Sequence, residues 1–154
     1  SPASVAACPS FQSAERQIAS ILGKAQLIIG YNVRFDLGML AANSALLSNL
    51  ISGFDFSRIK DVMHAYAWIN ARENGLTQTS DGTPRAKWQK LISCAAHYGF
   101  SFGEDGRFHD SLGDCLATLH CYRKIIETGD AAYFSCGNIA EWQELNRKKE
   151  ESVA

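Results

Sequence analysis

The stretch AQLIIGYNVRFDLGMLAAN, residues 25–43, decides the fold class. Leu27–Gly30 is apolar, too brief for a helix and bounded by Gly30 and Asn32, which predicts a strand. It shows no polar alternation, so it suits a central or parallel strand buried on both faces. From Val33 the period changes: Phe35, Met39 and Ala42 return to one side at about 100° per residue. Residues 33–43 therefore read as a helix. A strand feeding a helix through a short polar turn is the repeating unit of an α/β fold.

Working outward, Ala14, Ile18, Ala19, Ile21 and Leu22 recur at helical spacing, and Gly23 can stop that helix. A second short strand is expected around Arg58–Lys60 in FDFSRIKDV. VMHAYAWINA (62–71) returns to helical periodicity through Val62, Ala65, Tyr66 and Ile69. RENGLTQTSDGTPRAK (72–87) is a long polar loop, and WQKLISCAAHYG (88–99) a further amphipathic helix. Two strands are few for a sheet.

With 154 residues, 46% hydrophobic and 20% charged, the chain has the length and composition of one ordinary globular domain. A net charge of -1 gives no global electrostatic argument for or against a polyanion, so any such binding must be local. Five cysteines (Cys8, Cys94, Cys115, Cys121, Cys136) form no metal-ligand spacing and suit reduced core thiols of a cytoplasmic protein. No stretch approaches the roughly 20 apolar residues of a membrane span, and SPASVAACPSF is no signal peptide.

GRFHDSLGDCLATLHCYRKII (106–126) predicts the last helix. Leu112, Leu116 and Leu119 make one apolar stripe. Asp114 points away from it, on a face that continues with Ala117, Thr118, Cys121 and Ile125, so this helix reads as buried nearly all round. Asp36 poses the same puzzle beside Met39 and Leu40, just past the first strand. Burying an unpaired carboxylate costs several kcal/mol or more, so such groups are paired, hydrogen-bonded or bound to metal. In α/β sheets, sites gather at the carboxyl ends of strands. His109 stands five residues before Asp114 at the mouth of its helix. Each has a plain structural alternative: Asp110 or Ser111 as an N-cap, Asp36 on a backbone N–H, His109 as a loop residue.

Taken together these residues carry a resemblance. IIGYNVRFDLGML is similar to the second motif of the DEDDh 3′–5′ exonucleases, an apolar strand followed by Asn-x-x-Phe-Asp and an apolar helix. HDSLGDCLAT resembles their third motif, His-x-x-x-x-Asp before small and apolar residues. IKDVMHAYAW and KWQKLISCAAHYGFSF are also similar to that family, whose members include the proofreading subunit of bacterial DNA polymerase III and ribonuclease T. The resemblance implies a ribonuclease H-like α/β fold over residues 1–128; the alternating charges of EWQELNRKKEESVA read the remainder, 129–154, as a polar, solvated helix or tail. It implies hydrolysis of DNA or RNA from the 3′ end with two divalent ions, Mg²⁺ or Mn²⁺. On it, Asp36 and Asp114 match metal ligands, His109 the general base, and Asn32 and Phe35 the pocket for the terminal nucleotide. An imidazole with an ordinary pKa of about 6.5 suits proton abstraction at neutral pH.

The family's first motif, an Asp-x-Glu on the central strand, has no counterpart: the sequence contains no Asp-x-Glu, Asp-x-Asp or Glu-x-Glu pair. The resemblance thus implies a helix-rich remainder lacking the first three strands, inactive or impaired alone and completed by a missing N-terminal segment or a partner chain. The alternative is a non-catalytic nucleic-acid-binding or interaction module of the same fold. Arg85, Lys87 and Lys90 are candidates for phosphate contact and Trp88 for base stacking.

Overall fold

The structure, a computed structural model, describes residues 10–101 and 110–153. In order these form α1 (Phe11–Lys24), β1 (Ile28–Gly30), α2 (Val33–Asn43), α3 (Ala45–Ser52), a 3₁₀ turn (Phe56–Arg58), β2 (Ile59–Asp61) and α4 (Val62–Asn74). There follow the hairpin β3 (Thr77–Gln78) and β4 (Pro84–Arg85), α5 (Leu91–His97), α6 (Ser111–Glu127), a 3₁₀ turn (Ala131–Ser135) and α7 (Ile139–Val153). The chain is mixed α/β and rich in helix, with few and short strands. β1 neighbours β2 in a two-stranded sheet, and β3 pairs antiparallel with β4, Thr77 opposite Arg85.

The described residues divide into two compact units, one running to Ile28 and resuming over Val33–Ile59, the other Ile29–Asn32 with Lys60 onward. In the first, Val33, Leu37, Leu47, Ile51 and Phe54 form the core, with Ile18 and Leu22 of α1 packed against it. The α1 carbonyl end is closed by Arg58, whose guanidinium donates to Leu22 O (3.2 Å) and to Ala25 O. A cation there meets both the unpaired carbonyls and the negative end of the helix dipole. Ser44 caps α3, its hydroxyl accepting from Leu47 N (3.1 Å).

In the second unit α4 is the central helix. Its small and large residues alternate so that Val62, Ala65, Tyr66, Ala67, Trp68, Ile69 and Ala71 are all buried, leaving almost no solvent face. Cys94 and Ala95 of α5, and Ala117, Cys121 and Ile125 of α6, complete the core around it. Gly75 ends α4 at φ 86°, a left-handed conformation that glycine adopts without a Cβ clash.

Three expectations change. The 72–87 loop is in part the end of α4 and in part the β3–β4 hairpin, because Asp81 and Gly82 build a tight turn that closes it. β1 is half-buried along its length rather than enclosed on both faces. Among the described residues it has a single sheet neighbour. The polar C-terminal segment is a helix but not a free one. Trp142 Nε1 donates to Trp68 O (3.0 Å), and Ile139, Trp142 and Leu145 pack against the core of the second unit. No described helix is long and apolar enough to cross a membrane.

Candidate functional site

The turn between β1 and α2 is held in an uncommon conformation. Asn32 has φ 64°, and it is the one non-glycine residue among those described with positive φ. Asparagine tolerates that region better than most side chains, but the arrangement still needs support from its surroundings. Asp61 supplies it. Its Oδ1 accepts from Asn32 N (3.0 Å) and also from Met63 N (3.1 Å) and His64 N (3.3 Å), so one carboxylate closes the turn and caps α4. Sequence reasoning passed over Asp61, although an Asp directly before an apolar helical run is an N-cap signal.

Beyond the turn, Phe35 and Asp36 lie in the first part of α2, where the helix dipole favours an anion. Phe35 is 62% exposed, an apolar ring offered to solvent. Asp36 is exposed, not buried, and Met39 beside it is 51% exposed. The buried face of α2 is instead that of Val33 and Leu37. The desolvation argument for a cation at Asp36 therefore lapses.

Asp114 stands in the first turn of α6 and is half-buried. Asp110 is the N-cap, its carboxylate accepting from Leu112 N (3.2 Å), while Asp114 N donates to Asp110 O (2.9 Å). The face of Ala117, Thr118, Cys121 and Ile125 is indeed the buried one. Of the leucine stripe, Leu112 is 65% and Leu116 52% exposed, and Leu119 is half-buried. Small residues let α6 approach its neighbours closely on one side, and the larger Leu112 and Leu116 are turned outward. The helix is thus one-sided, and Asp114 sits where its buried face meets solvent.

Asp36 belongs to the first unit and Asp114 to the second; His109 lies outside the described residues. Among the described residues no group of three or more His, Cys, Asp or Glu side chains is arranged to hold a metal ion. The hard oxygens of Asp36 and Asp114 fit Mg²⁺ or Mn²⁺ in kind, but two carboxylates fall short in number. The other histidines serve structure: His64 Nε2 bonds Cys136 O (2.7 Å), His120 Nε2 bonds Tyr98 O (2.9 Å), and His97 packs edge-on against Tyr98. Cys94, Cys121 and Cys136 are buried free thiols as expected, whereas Cys115 is exposed; Cys8 lies outside the described residues. No protein-family model, curated protein or solved structure matches the chain.

Proposed function

We propose that this chain is the helix-rich part of a 3′–5′ exonuclease of the DEDDh kind, with a ribonuclease H-like fold, acting on DNA or RNA and impaired on its own. The observation that carries this reading is the joint after β1, where Asn32 is fixed in a left-handed turn by Asp61 and followed by an exposed Phe35 and Asp36. Positive φ at a non-glycine residue is a conformation that clusters at positions that hold ligands. It falls on the residues that the second motif singles out. Asp114, half-buried in the first turn of α6, answers to the third motif.

Two divalent ions, when bound, would stabilise both attacking and leaving oxygens of the scissile phosphate. The chain's own contributions are narrower. On the resemblance, Asp36 and Asp114 would each supply a carboxylate to such ions, Phe35 and Asn32 would position the terminal nucleotide, and His109 would take the proton of the attacking water. Only two of the four acidic residues of the family's pattern stand in the sequence, so turnover by this chain alone is expected to be slight.

The test compares the purified chain with the same chain preceded by the three N-terminal strands, Asp-x-Glu included, of a DEDDh exonuclease. With a 5′-labelled oligonucleotide and Mn²⁺, the extended protein is expected to shorten the substrate from its 3′ end, and Asp114→Asn or Asp36→Asn to abolish this. No 3′ trimming by the extended protein, or trimming that survives both substitutions, overturns the reading.

A further inference from the structure

The segment from Pro84 to Lys90 is built as a display. Arg85, Lys87, Trp88 and Lys90 are exposed, Trp88 at 66%. Among the described residues, none of the three cationic side chains has a hydrogen bond or ion pair, and the indole has no ring or hydrogen-bond partner. Asp81 is the only acid between Gly75 and Lys90. It is engaged at the hairpin tip by the Thr79 hydroxyl and by Thr83 N (3.1 Å), and the Thr79 hydrogen bond holds its carboxyl down at about 2. It leaves the cations unneutralised.

The backbone beneath is anchored. The half-buried Tyr31 hydroxyl donates to Gln89 O (2.8 Å), Ala86 packs against the core of the unit, and the hairpin ladder holds Arg85 opposite Thr77. The inner residues of the segment thus fix it, and the outer ones face water. An indole among unpaired cations, on a rigid strand-to-helix connection, leaves apolar area and charge exposed with no internal return. One class of ligand satisfies both groups: a polyanion whose charges are interleaved with free aromatic faces. A duplex keeps its bases stacked inside, so the single strand fits better.

We propose that Arg85, Lys87, Trp88 and Lys90 form a binding surface for single-stranded nucleic acid, Trp88 stacking on a base while the three cations contact backbone phosphates. This rests on nucleic acid being the partner, as proposed above, but needs neither metal nor cleavage.

The test is fluorescence anisotropy in EDTA with labelled deoxythymidine and uridine oligonucleotides of about 15 nucleotides, the upper range of a single-strand site. A duplex of equal length and phosphatidylserine vesicles are run beside them. Trp88→Ala is expected to weaken single-strand binding about 10-fold, and Trp88→Phe to restore part of it. Replacing Arg85, Lys87 and Lys90 together by Ala should flatten the slope of log affinity against log salt by about 2, at roughly 0.7 per phosphate. All four side chains are exposed, so unchanged circular dichroism is expected and serves as the folding control. Equal binding by the parent, Trp88→Ala and the triple variant, a preference for duplex, or binding to vesicles in place of oligonucleotides each overturns the proposal. If the extended protein fails to trim 3′ ends while Trp88→Ala still loses oligonucleotide, the nuclease reading alone falls. Trimming with unaltered binding by the variants removes this surface and leaves the nuclease.

Discussion

Asp61 and Asn32 show how one carboxylate can set both a turn and a helix start. Replacing Asp61 by Ala leaves three N–H groups without their acceptor and is expected to cost about 2 kcal/mol in urea denaturation. Asp61→Asn keeps one acceptor oxygen and should cost less. Asn32→Gly should be nearly neutral, since glycine takes φ 64° freely, whereas Asn32→Val is expected to lose about 1–2 kcal/mol through its Cβ clash. Such a φ angle was not legible from the residues alone: Gly-Tyr-Asn announces a turn but not which residue carries the strain. The exposure of Asp36 is hidden from the sequence for a related reason. Helical periodicity says which residues share a face, not which face meets protein.

At the scale of elements, the C-terminal helix is secured by a buried ion cluster. Asp130, 3% exposed, accepts from Arg72 Nη1 (2.7 Å), from Thr128 Oγ1 (3.0 Å) and from Lys149 of α7. Burial acts to raise its pKa, but the Arg72 and Lys149 hydrogen bonds outweigh it and hold the carboxyl below the ordinary carboxylate range. A carboxyl depressed in the folded state stabilises folding above its unfolded pKa of about 4, and that contribution is lost as pH falls through the folded value. Asp130→Asn is therefore expected to destabilise at pH 7 by about 3 kcal/mol. The gap should narrow below about pH 4, as the parent's own carboxyl protonates; denaturation midpoints at pH 7 and pH 3 check both. A gap that is constant with pH would show that shape, not charge, holds α7. From the sequence this helix reads as solvated because its alternating charges dominate, although Ile139, Trp142 and Leu145 recur three residues apart, at helical spacing.

For the whole molecule, the separate cores predict separate responses to truncation of a buried side chain. Leu47 and Ile125 are fully buried, one in each cluster. Leu47→Ala and Ile125→Ala should each cost about 2–5 kcal/mol by cavity formation. In native-state hydrogen exchange the loss of protection should concentrate in α2–α3 for the first and in α4–α6 for the second. Uniform loss across the chain would contradict two independent cores. With two acidic ligands in place of four, Mn²⁺ titrated into the chain should bind more weakly than about 1 mM. Isothermal titration calorimetry reads this directly, and tight saturable binding would reveal a site that neither the sequence nor the described residues contain.

Periodicity and punctuation in the sequence determined by themselves that a short apolar strand precedes Val33–Asn43, that a second follows near Arg58, and that the 106–126 segment holds a helix on which Ala117, Thr118, Cys121 and Ile125 share a face that is not solvated. These are local choices, made by side-chain spacing and by Gly, Asn and Asp at the joints. Missing from that reading were α3, short and separated from α2 by Ser44 alone, and the hairpin, whose ladder needs residues eight apart to meet. Only tertiary structure decided that Leu112 and Leu116 of α6 face water, that Asp36 is exposed, that Asp61 holds Asn32, and that α7 docks through Trp142. Each depends on which surface another element covers, and a periodic pattern contains no information about where its partner lies.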